Sequence, residues 1–279
     1  MLGTRILTAL VLVALVLAAL FRLPPLGWGL FTLVGIAVAA NEWASLAGYL
    51  RSTRFMFVGG VALIGLLLLL SPVASFGRGW PQAVLLMACV PAAGFWLLVV
   101  PFWLARQWRP RSPLLLAVVG CLILIGAWVA LVELQARSPW LALAAMAIVW
   151  IADIAAYFTG RAFGRRKLAP AISPGKTWEG VYGALAGVAV YALALLPYAG
   201  RAGYTGAIAA SSVAGWLALA LVLTALSVMG DLFESLLKRQ AGVKDSGSLL
   251  PGHGGMLDRI DALLAALPVA ALAAILFLR

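Results

Sequence analysis

Long apolar segments dominate the sequence and constrain its fold more than any other feature. Nine of them cover approximately residues 6–21, 26–40, 55–70, 83–104, 114–132, 140–160, 180–197, 210–230 and 262–278. A helix needs roughly 20 mostly apolar residues to cross a bilayer. Because 65% of the 279 residues are hydrophobic and only 10% are charged, no separate soluble domain fits. We therefore expect an all-α fold, a polytopic integral membrane helical bundle with about nine transmembrane helices.

The amino-terminal segments admit other interpretations. Arg5 precedes the first apolar run, as in a signal peptide, but eight further spans favour a retained helix. The first two segments are short and meet at residues 22–27, so a re-entrant pair would also fit this part of the chain.

The basic residues predict the orientation of the chain. With nine spans, 15 of the 20 lysines and arginines lie at the amino terminus and in the even-numbered loops. Positively charged loops stay in the cytoplasm. We expect these parts to be cytoplasmic and the carboxyl terminus to lie outside. The formal charge of +11 does not indicate nucleic-acid binding, because the basic residues form short clusters beside apolar runs and no continuous basic face.

The acidic residues are concentrated in one part of the chain. Seven of the nine lie between Asp153 and Asp261. Asp153, Asp231 and the pair Asp258 and Asp261 belong to three spans, at similar distances from their cytoplasmic ends. Ionisable groups at such depth cost about 2.5–3.5 kcal/mol and normally face a cavity and a partner. The pattern predicts a site just inside the membrane, although Asp153 and Asp231 would also suit structural pairing with arginines.

The first polar loop, residues 161–179, contains the sequence Ser173-Pro-Gly-Lys-Thr-Trp-Glu179. It does not match a phosphate-binding P-loop, which needs a glycine where Pro170 stands and a preceding strand. The segment still presents Lys176 and two hydroxyls beside a helix start, where an anion is favoured. Attraction to anionic lipid headgroups would explain the basic run Arg165 to Lys167 but not residues 173–179.

The second polar loop, residues 238–258, alternates cations with carboxylates and carries glycines around His253. Carboxylates suit Mg²⁺, while lysine and arginine suit phosphate oxygens. A simple turn would also explain the glycines. A zinc site built from several imidazoles is excluded because His253 is the sole histidine. No Gly-x-Ser-x-Gly elbow supports a serine triad.

The segment from Ser235 to Asp261 resembles the signature of the phosphatidate cytidylyltransferases, also called CDP-diacylglycerol synthases. It reads Ser-Leu-Leu-Lys-Arg, then Lys244-Asp-Ser-Gly-Ser-Leu-Leu-Pro-Gly-His-Gly-Gly-Met-Leu-Asp-Arg-Ile-Asp261 after four intervening residues. Residues 173–179 resemble the same family. The resemblance implies an enzyme that transfers the cytidylyl group from CTP to phosphatidic acid in the bacterial cytoplasmic membrane, with its active site facing the cytoplasm. Residues 1–139 would supply amino-terminal spans and residues 140–279 the catalytic spans of one membrane domain.

The resemblance also implies roles for individual residues. Asp231, Asp258 and Asp261 would bind Mg²⁺, and a two-metal site would hold a second cation as well. Substrate contacts fall to Ser173, Lys176, Thr177 and Arg259. Catalytic roles fall to Lys238, Arg239, Lys244, Asp245 and His253. In this scheme Asp245 orients Lys244, and His253 protonates pyrophosphate or contacts the nucleotide.

Two other functions and a self-association remain as hypotheses. A transporter would use membrane-depth acids for an ion pathway, but it predicts inverted repeats, and none is found in the sequence. A scaffold subunit would leave the charged loop without a purpose. Gly183 and Gly187 have a spacing that allows close helix approach, within the chain or in a homodimer.

Overall fold

The computed structural model describes residues 2–71, 79–201, 210–249 and 254–277. In chain order it contains α1 (Leu2–Arg22), α2 (Pro25–Leu46), α3 (Arg51–Leu70), α4 (Gln82–Gly94), a π-helical turn (Phe95–Val99), α5 (Val100–Arg106), α6 (Pro113–Arg137), α7 (Pro139–Phe163), the strands β1 (Lys167–Ala169) and β2 (Ser173–Thr177), α8 (Trp178–Arg201), α9 (Ala210–Ala241) and α10 (Leu257–Phe277).

The predicted membrane bundle is confirmed. Within the described residues, eight helical segments are long and apolar enough to cross a bilayer, and α1 adds a shorter apolar helix. The segment from Gln82 to Arg106 is one such span, made of α4, the π-helical turn and α5. A chain in lipid must satisfy its backbone hydrogen bonds internally, and each helix does so by itself. The chain is therefore a polytopic helical membrane protein.

Two helices form the centre of the bundle. Helices α6 and α10 are the most buried spans, and α10 packs against α9, α6, α4 and α7. Helix α7 packs closely on α8, where a Cβ added to Gly187 would lie 2.9 Å from the Cβ of Ala155. Gly183 faces Thr159 of α7 in the same way. These two glycines therefore serve packing inside the chain.

The helices that carry the acids extend beyond the apolar segments. Helix α9 continues to Ala241 and α10 begins at Leu257, so both helices extend past the apolar segments, which end near residue 230 and begin near residue 262. Hydropathy falls where charged residues begin, but the helical hydrogen bonds continue through them. Lys238, Arg239 and Asp258 therefore lie on helices, and the connecting segment shrinks from residues 238–258 to residues 242–256.

An antiparallel β-hairpin replaces most of the first polar loop. Lys167 pairs with Thr177 and Ala169 pairs with Ser173, with an irregular register between them. The amide of Trp178 then donates to the carbonyl of Arg166 at 2.9 Å. A predominantly apolar chain gives little periodic signal for strands this short, and the sequence analysis missed them. The hairpin brings β2 against α8 and α9.

A cluster of aromatic rings holds α9 in place. The Phe233 ring lies edge-on to Trp103, Trp96 and Phe95, with centroid separations of 5.3, 5.5 and 5.8 Å. Edge-to-face contacts of this kind add about 0.5–1.5 kcal/mol each beyond burial. The π-helical turn contributes two of the three rings. Because Phe233 lies between Asp231 and Glu234, the cluster sets the rotation of the part of α9 that carries these acids.

Candidate active site

Acidic side chains from three helices converge at one end of the bundle. Asp153 of α7 and Asp261 of α10 both interact electrostatically with Asp231 of α9. The α9 and α10 backbones touch beside this point, because a Cβ on Gly230 would lie 2.5 Å from the carbonyl oxygen of Asp261. The sequence predicts this meeting of three spans, and the described residues confirm it.

The outer part of the cluster is an ion pair between the hairpin and α9. Lys176 Nζ of β2 lies 2.5 Å from Asp231 Oδ2, and the two side chains are 25% and 33% exposed. Ser235 donates from Oγ to the other oxygen of Asp231 at 3.3 Å. Both charged groups are accessible, so a ligand could reach them from the surface. Asp231 therefore pairs with a lysine of the polar hairpin.

The inner part of the cluster is a lysine held between two buried acids. Lys238 Nζ lies 2.5 Å from Glu234 Oε2, one turn earlier on α9, and 2.5 Å from Asp258 Oδ1 on α10. All three side chains are at most 11% exposed. An ammonium group has three N–H donors, so one remains for a further acceptor. The ion pairs fix both the position and the charge of Lys238.

Asp258 also organises the segment between α9 and α10. Its Oδ2 accepts hydrogen bonds from the amides of Ser246 and Gly255, at 2.9 and 2.8 Å, and lies 3.0 Å from Ser246 Oγ. With Lys238 on Oδ1, four donors surround a carboxylate that offers about four lone-pair sites. Protein donors therefore engage both oxygens of Asp258, with Lys238 on Oδ1 and the other donors on Oδ2. Its position in the first turn of α10 also suits the positive end of the helix dipole.

Glu42 is a site residue that the sequence analysis missed. It lies buried on α2 and accepts the amides of Met256 and Leu257 at 2.9 and 2.7 Å. Ser246 Oγ stands 3.0 Å from Glu42 Oε2, the same distance as from Asp258, and its single proton serves one of them at a time. The sequence signal that could have identified it is an isolated acidic residue in an apolar amino-terminal span. Through these contacts, Glu42 on α2 binds both the early and the late part of the segment that connects α9 and α10.

The hairpin residues have different surroundings. Thr177 is buried, and its Oγ1 accepts the Gly180 amide at 3.2 Å, which caps the start of α8. Ser173 begins β2 and is partly buried. Glu179 accepts the amides of Arg165 and Arg166 and closes the base of the hairpin. The hairpin therefore presents Lys176 to the cluster, while Thr177 serves the helix start.

The remaining predicted residues surround the cluster. Arg239 Nε donates to the Ile172 carbonyl in the hairpin turn at 3.4 Å, and its Nη1 donates to Val243 O at 3.3 Å. Arg259 interacts electrostatically with Asp153. Lys244 and Asp245 are exposed and form no ion pair with each other or with another described residue. The predicted role of His253 concerns a position outside the described residues.

Comparison with known proteins identifies the chain. Residues 3–277 match the cytidylyltransferase family, which is nearly the whole length. The chain belongs to the cytidylyltransferase family.

Curated relatives in this family match over almost the entire chain. A phosphatidate cytidylyltransferase of Pseudomonas aeruginosa is 42% identical over 288 residues, covering 96% of this chain and 95% of that protein. The Haemophilus influenzae protein of the same name is 37% identical over 283 residues, with 96% of each chain covered. That of Brucella suis is 39% identical over 279 residues, covering 95% and 90%. The resemblance inferred from residues 235–261 is confirmed at the level of the family.

The charge balance of this cytidylyltransferase tests whether the site suits a divalent cation. Five carboxylates, on α7, α9 and α10, form one interacting group with three cations on the same helices and β2. The formal excess is two negative charges. The described residues contain no group of three or more acidic, histidine or cysteine ligands arranged around one point. Mg²⁺ does not need one, because it is commonly bound by one or two carboxylates plus substrate phosphates. Asp231 of α9 and Asp261 of α10, which interact electrostatically, are compatible with this requirement.

Proposed function

We propose that this chain transfers the cytidylyl group of CTP to the phosphate of phosphatidic acid, forming CDP-diacylglycerol and releasing pyrophosphate. The observation that carries the proposal is the similarity, over at least 95% of this chain, to proteins named phosphatidate cytidylyltransferase. A membrane bundle with a charged cluster at one end of its helices suits a reaction between a lipid and a water-soluble nucleotide.

The cations of the cluster would bind the two anionic substrates. Lys238 keeps one N–H donor beyond its two ion pairs, and Lys176 keeps two beyond Asp231. Arg239, Lys244 and Arg259 would share the lipid phosphate and the departing pyrophosphate with them. Phosphoryl transfer depends mainly on positioning and on neutralising charge. Glu234 and Asp258 would therefore act as positioning residues, because they hold Lys238 at a defined point.

Asp231 and Asp261 would hold Mg²⁺, with Asp153 close by to complete the negative site. When bound, the ion would offset the charge on the CTP phosphates. This proposal differs from the assignment made from the sequence for Asp258, whose oxygens are already engaged by Lys238, Ser246 and Gly255. A second cation remains compatible with the excess charge.

The attacking group needs no strong base. The second pKa of a phosphate monoester is about 6, so the lipid phosphate is largely ionised at neutral pH. One of its oxygens would attack the α-phosphorus of CTP, and the bond to the bridging oxygen of pyrophosphate would break. The chain would contribute by aligning the two substrates and keeping their phosphates close together.

The proposed location is the bacterial cytoplasmic membrane, with the charged cluster facing the cytoplasm, where CTP is available. The bias of basic residues toward the amino terminus and the even-numbered loops supports this orientation. A reporter fused after Arg279 should be active outside the cytoplasm. Activity of that reporter only inside the cytoplasm would overturn the orientation.

The reaction can be tested directly with purified full-length protein. Incubation with Mg²⁺, phosphatidic acid and CTP labelled at the α-phosphate should move label into the organic phase. CTP labelled at the γ-phosphate should leave it in water as pyrophosphate, and diacylglycerol should not replace phosphatidic acid as acceptor. Folded protein that transfers no α-label would refute the proposed function, and label transferred to diacylglycerol would refute the proposed acceptor.

A further inference from the structure

A cavity opens at the same end of the bundle as the charged cluster, beside the end of α9. Its volume is about 620 Å³, and it lies between the end of α2, the α5–α6 connection and the end of α9. Cavities of roughly 300–1,000 Å³ accommodate small organic ligands. Its lining includes Leu237 and Gln240, next to Lys238 and Arg239 along α9. The cavity is thus separate from the cluster, yet it shares the helix on which the cluster depends.

The charged side chains that line this cavity are both basic. Arg109 and Arg111 contribute guanidinium groups, and none of the described residues that line it is acidic. Arg109 Nη2 donates to the Gln240 carbonyl at 2.8 Å, which orients its remaining donors. Arg111 is exposed and has no hydrogen bond or ion pair with another residue in the described part of the chain. Paired guanidinium groups are suited to phosphate oxygens.

The helix ends around the cavity do not oppose an anion strongly, because their terminal carbonyls already have donors. At the end of α2, Gly48 has a φ of 72° and the amide of Tyr49 donates to Ala44 O at 3.0 Å. At the end of α9, Gly242 has a φ of 74° and Val243 N donates to Lys238 O at 2.9 Å. This left-handed glycine cap satisfies carbonyls that would otherwise face a ligand.

The rest of the lining is partly apolar and lies at the level of the helix ends. Trp43, Leu46 and Leu116 contribute apolar surface, and Leu46 is the last residue of α2. The ends of membrane spans lie where lipid headgroups meet the acyl region. We propose that this cavity binds the phosphate headgroup of an anionic phospholipid, with the arginines on the phosphate and the apolar wall against the glycerol backbone. The inference goes beyond the proposed reaction and does not depend on it.

A ligand in this cavity would also affect the charged cluster, because both involve the end of α9. Gln240 donates from its side-chain amide to the carbonyls of Trp108 and Gln107, at 3.0 and 3.3 Å. These hydrogen bonds connect the α5–α6 connection, which carries Arg109 and Arg111, to α9. A headgroup bound there would reinforce this connection and the end of α9, two residues after Lys238. The phospholipid would therefore stabilise the folded chain.

Binding can be measured without any assay of activity. Full-length protein in neutral detergent would be titrated with dioctanoyl phosphatidylglycerol, dioctanoyl phosphatidylcholine and glycerol 1-phosphate, with bound lipid counted by native mass spectrometry and Tm followed in parallel. We expect phosphatidylglycerol to bind and raise Tm, with the other two at least tenfold weaker. Equal binding of phosphatidylcholine would overturn the proposal. Equal binding of glycerol 1-phosphate would show a free-phosphate site and overturn the lipid assignment.

Three variants locate the binding. Arg111→Gln removes an arginine that has no partner among the described residues, so the variant should keep its fold. This variant should bind phosphatidylglycerol several-fold more weakly than the unaltered chain. Arg109→Gln with Arg111→Gln should lose at least tenfold. Arg51→Gln is the matched control, an exposed arginine at the start of α3 outside the cavity lining, and it should bind as the unaltered chain does. Unchanged binding in Arg111→Gln, or equal loss in Arg51→Gln, would refute the site.

Discussion

Replacing Glu42 by glutamine should release the segment that connects α9 and α10. Glu42 accepts the amides of Met256 and Leu257 on its two oxygens, at 2.9 and 2.7 Å, in a buried environment. Glutamine is nearly the same size but keeps only one acceptor oxygen. One buried amide therefore loses its partner, at a cost of about 1–3 kcal/mol. The other hydrogen bond loses the benefit of the negative charge, roughly 1 kcal/mol more.

The expected loss is about 2–4 kcal/mol in the attachment of the segment. At about 1.4 kcal/mol per factor of ten, its open population rises by about 30-fold to 700-fold. Hydrogen exchange followed by mass spectrometry measures this directly, because the amides of Met256 and Leu257 exchange from the open state. We expect their exchange to accelerate within this range, and kcat to fall because Ser246 and Gly255 no longer support Asp258.

Glu133→Gln is the matched control, because Glu133 is the other buried acid outside the cluster. It accepts the Trp80 amide at 2.7 Å at the opposite end of the bundle. That variant should accelerate exchange at Trp80 and leave Met256 and Leu257 unchanged. If Glu42→Gln changes exchange at those two amides by less than threefold, the carboxylate does not hold the segment and the reasoning fails.

Three further substitutions test the cluster. Lys238→Met should abolish transfer and destabilise the fold by about 3–5 kcal/mol, because it leaves two buried carboxylates without their cation. Adding Glu234→Gln to this variant should restore part of the Tm but no activity. Recovery of activity in the double variant would exclude a phosphate contact by Lys238. Asp231→Asn should lower kcat at least 100-fold even at saturating Mg²⁺, and near-normal turnover there would remove its metal role. Gly230→Ala should push α9 away from α10 and lower both Tm and activity, since the new Cβ would lie 2.5 Å from a backbone oxygen. Gly215→Ala on the same helix has open space around it and should be silent in both assays.

Sequence reasoning reached the membrane bundle because hydropathy acts locally. Each apolar run forms its own helix in lipid without help from distant residues. Hydropathy alone did not mark the polar ends of α9 and α10, since a loss of hydropathy there does not end the helix. It also missed the hairpin of β1 and β2, whose strands are too short for a periodic signal.

The sequence predicted which residues meet at the site more completely than it predicted the contacts between them. Asp231, Asp258 and Asp261 could be named as acids facing a common point because they lie on helices of predictable depth. The spacing of residues along the sequence did not predict which side chain pairs with each acid. Lys176 reaches Asp231 only because the hairpin folds back onto α9, and Lys238 binds Asp258 across two helices.

The sequence by itself determined the class of fold, the segment that carries the charge and the family to which the chain belongs. Those properties depend on hydropathy and on the order of residues along one stretch of chain. Only the tertiary structure decided that both oxygens of Asp258 are engaged by protein donors, that Glu42 binds the segment between α9 and α10 from a distant helix, and that two arginines line a separate cavity. Such contacts join residues far apart in the sequence, and they form only when helix packing brings polar groups together in a medium where each must find a partner.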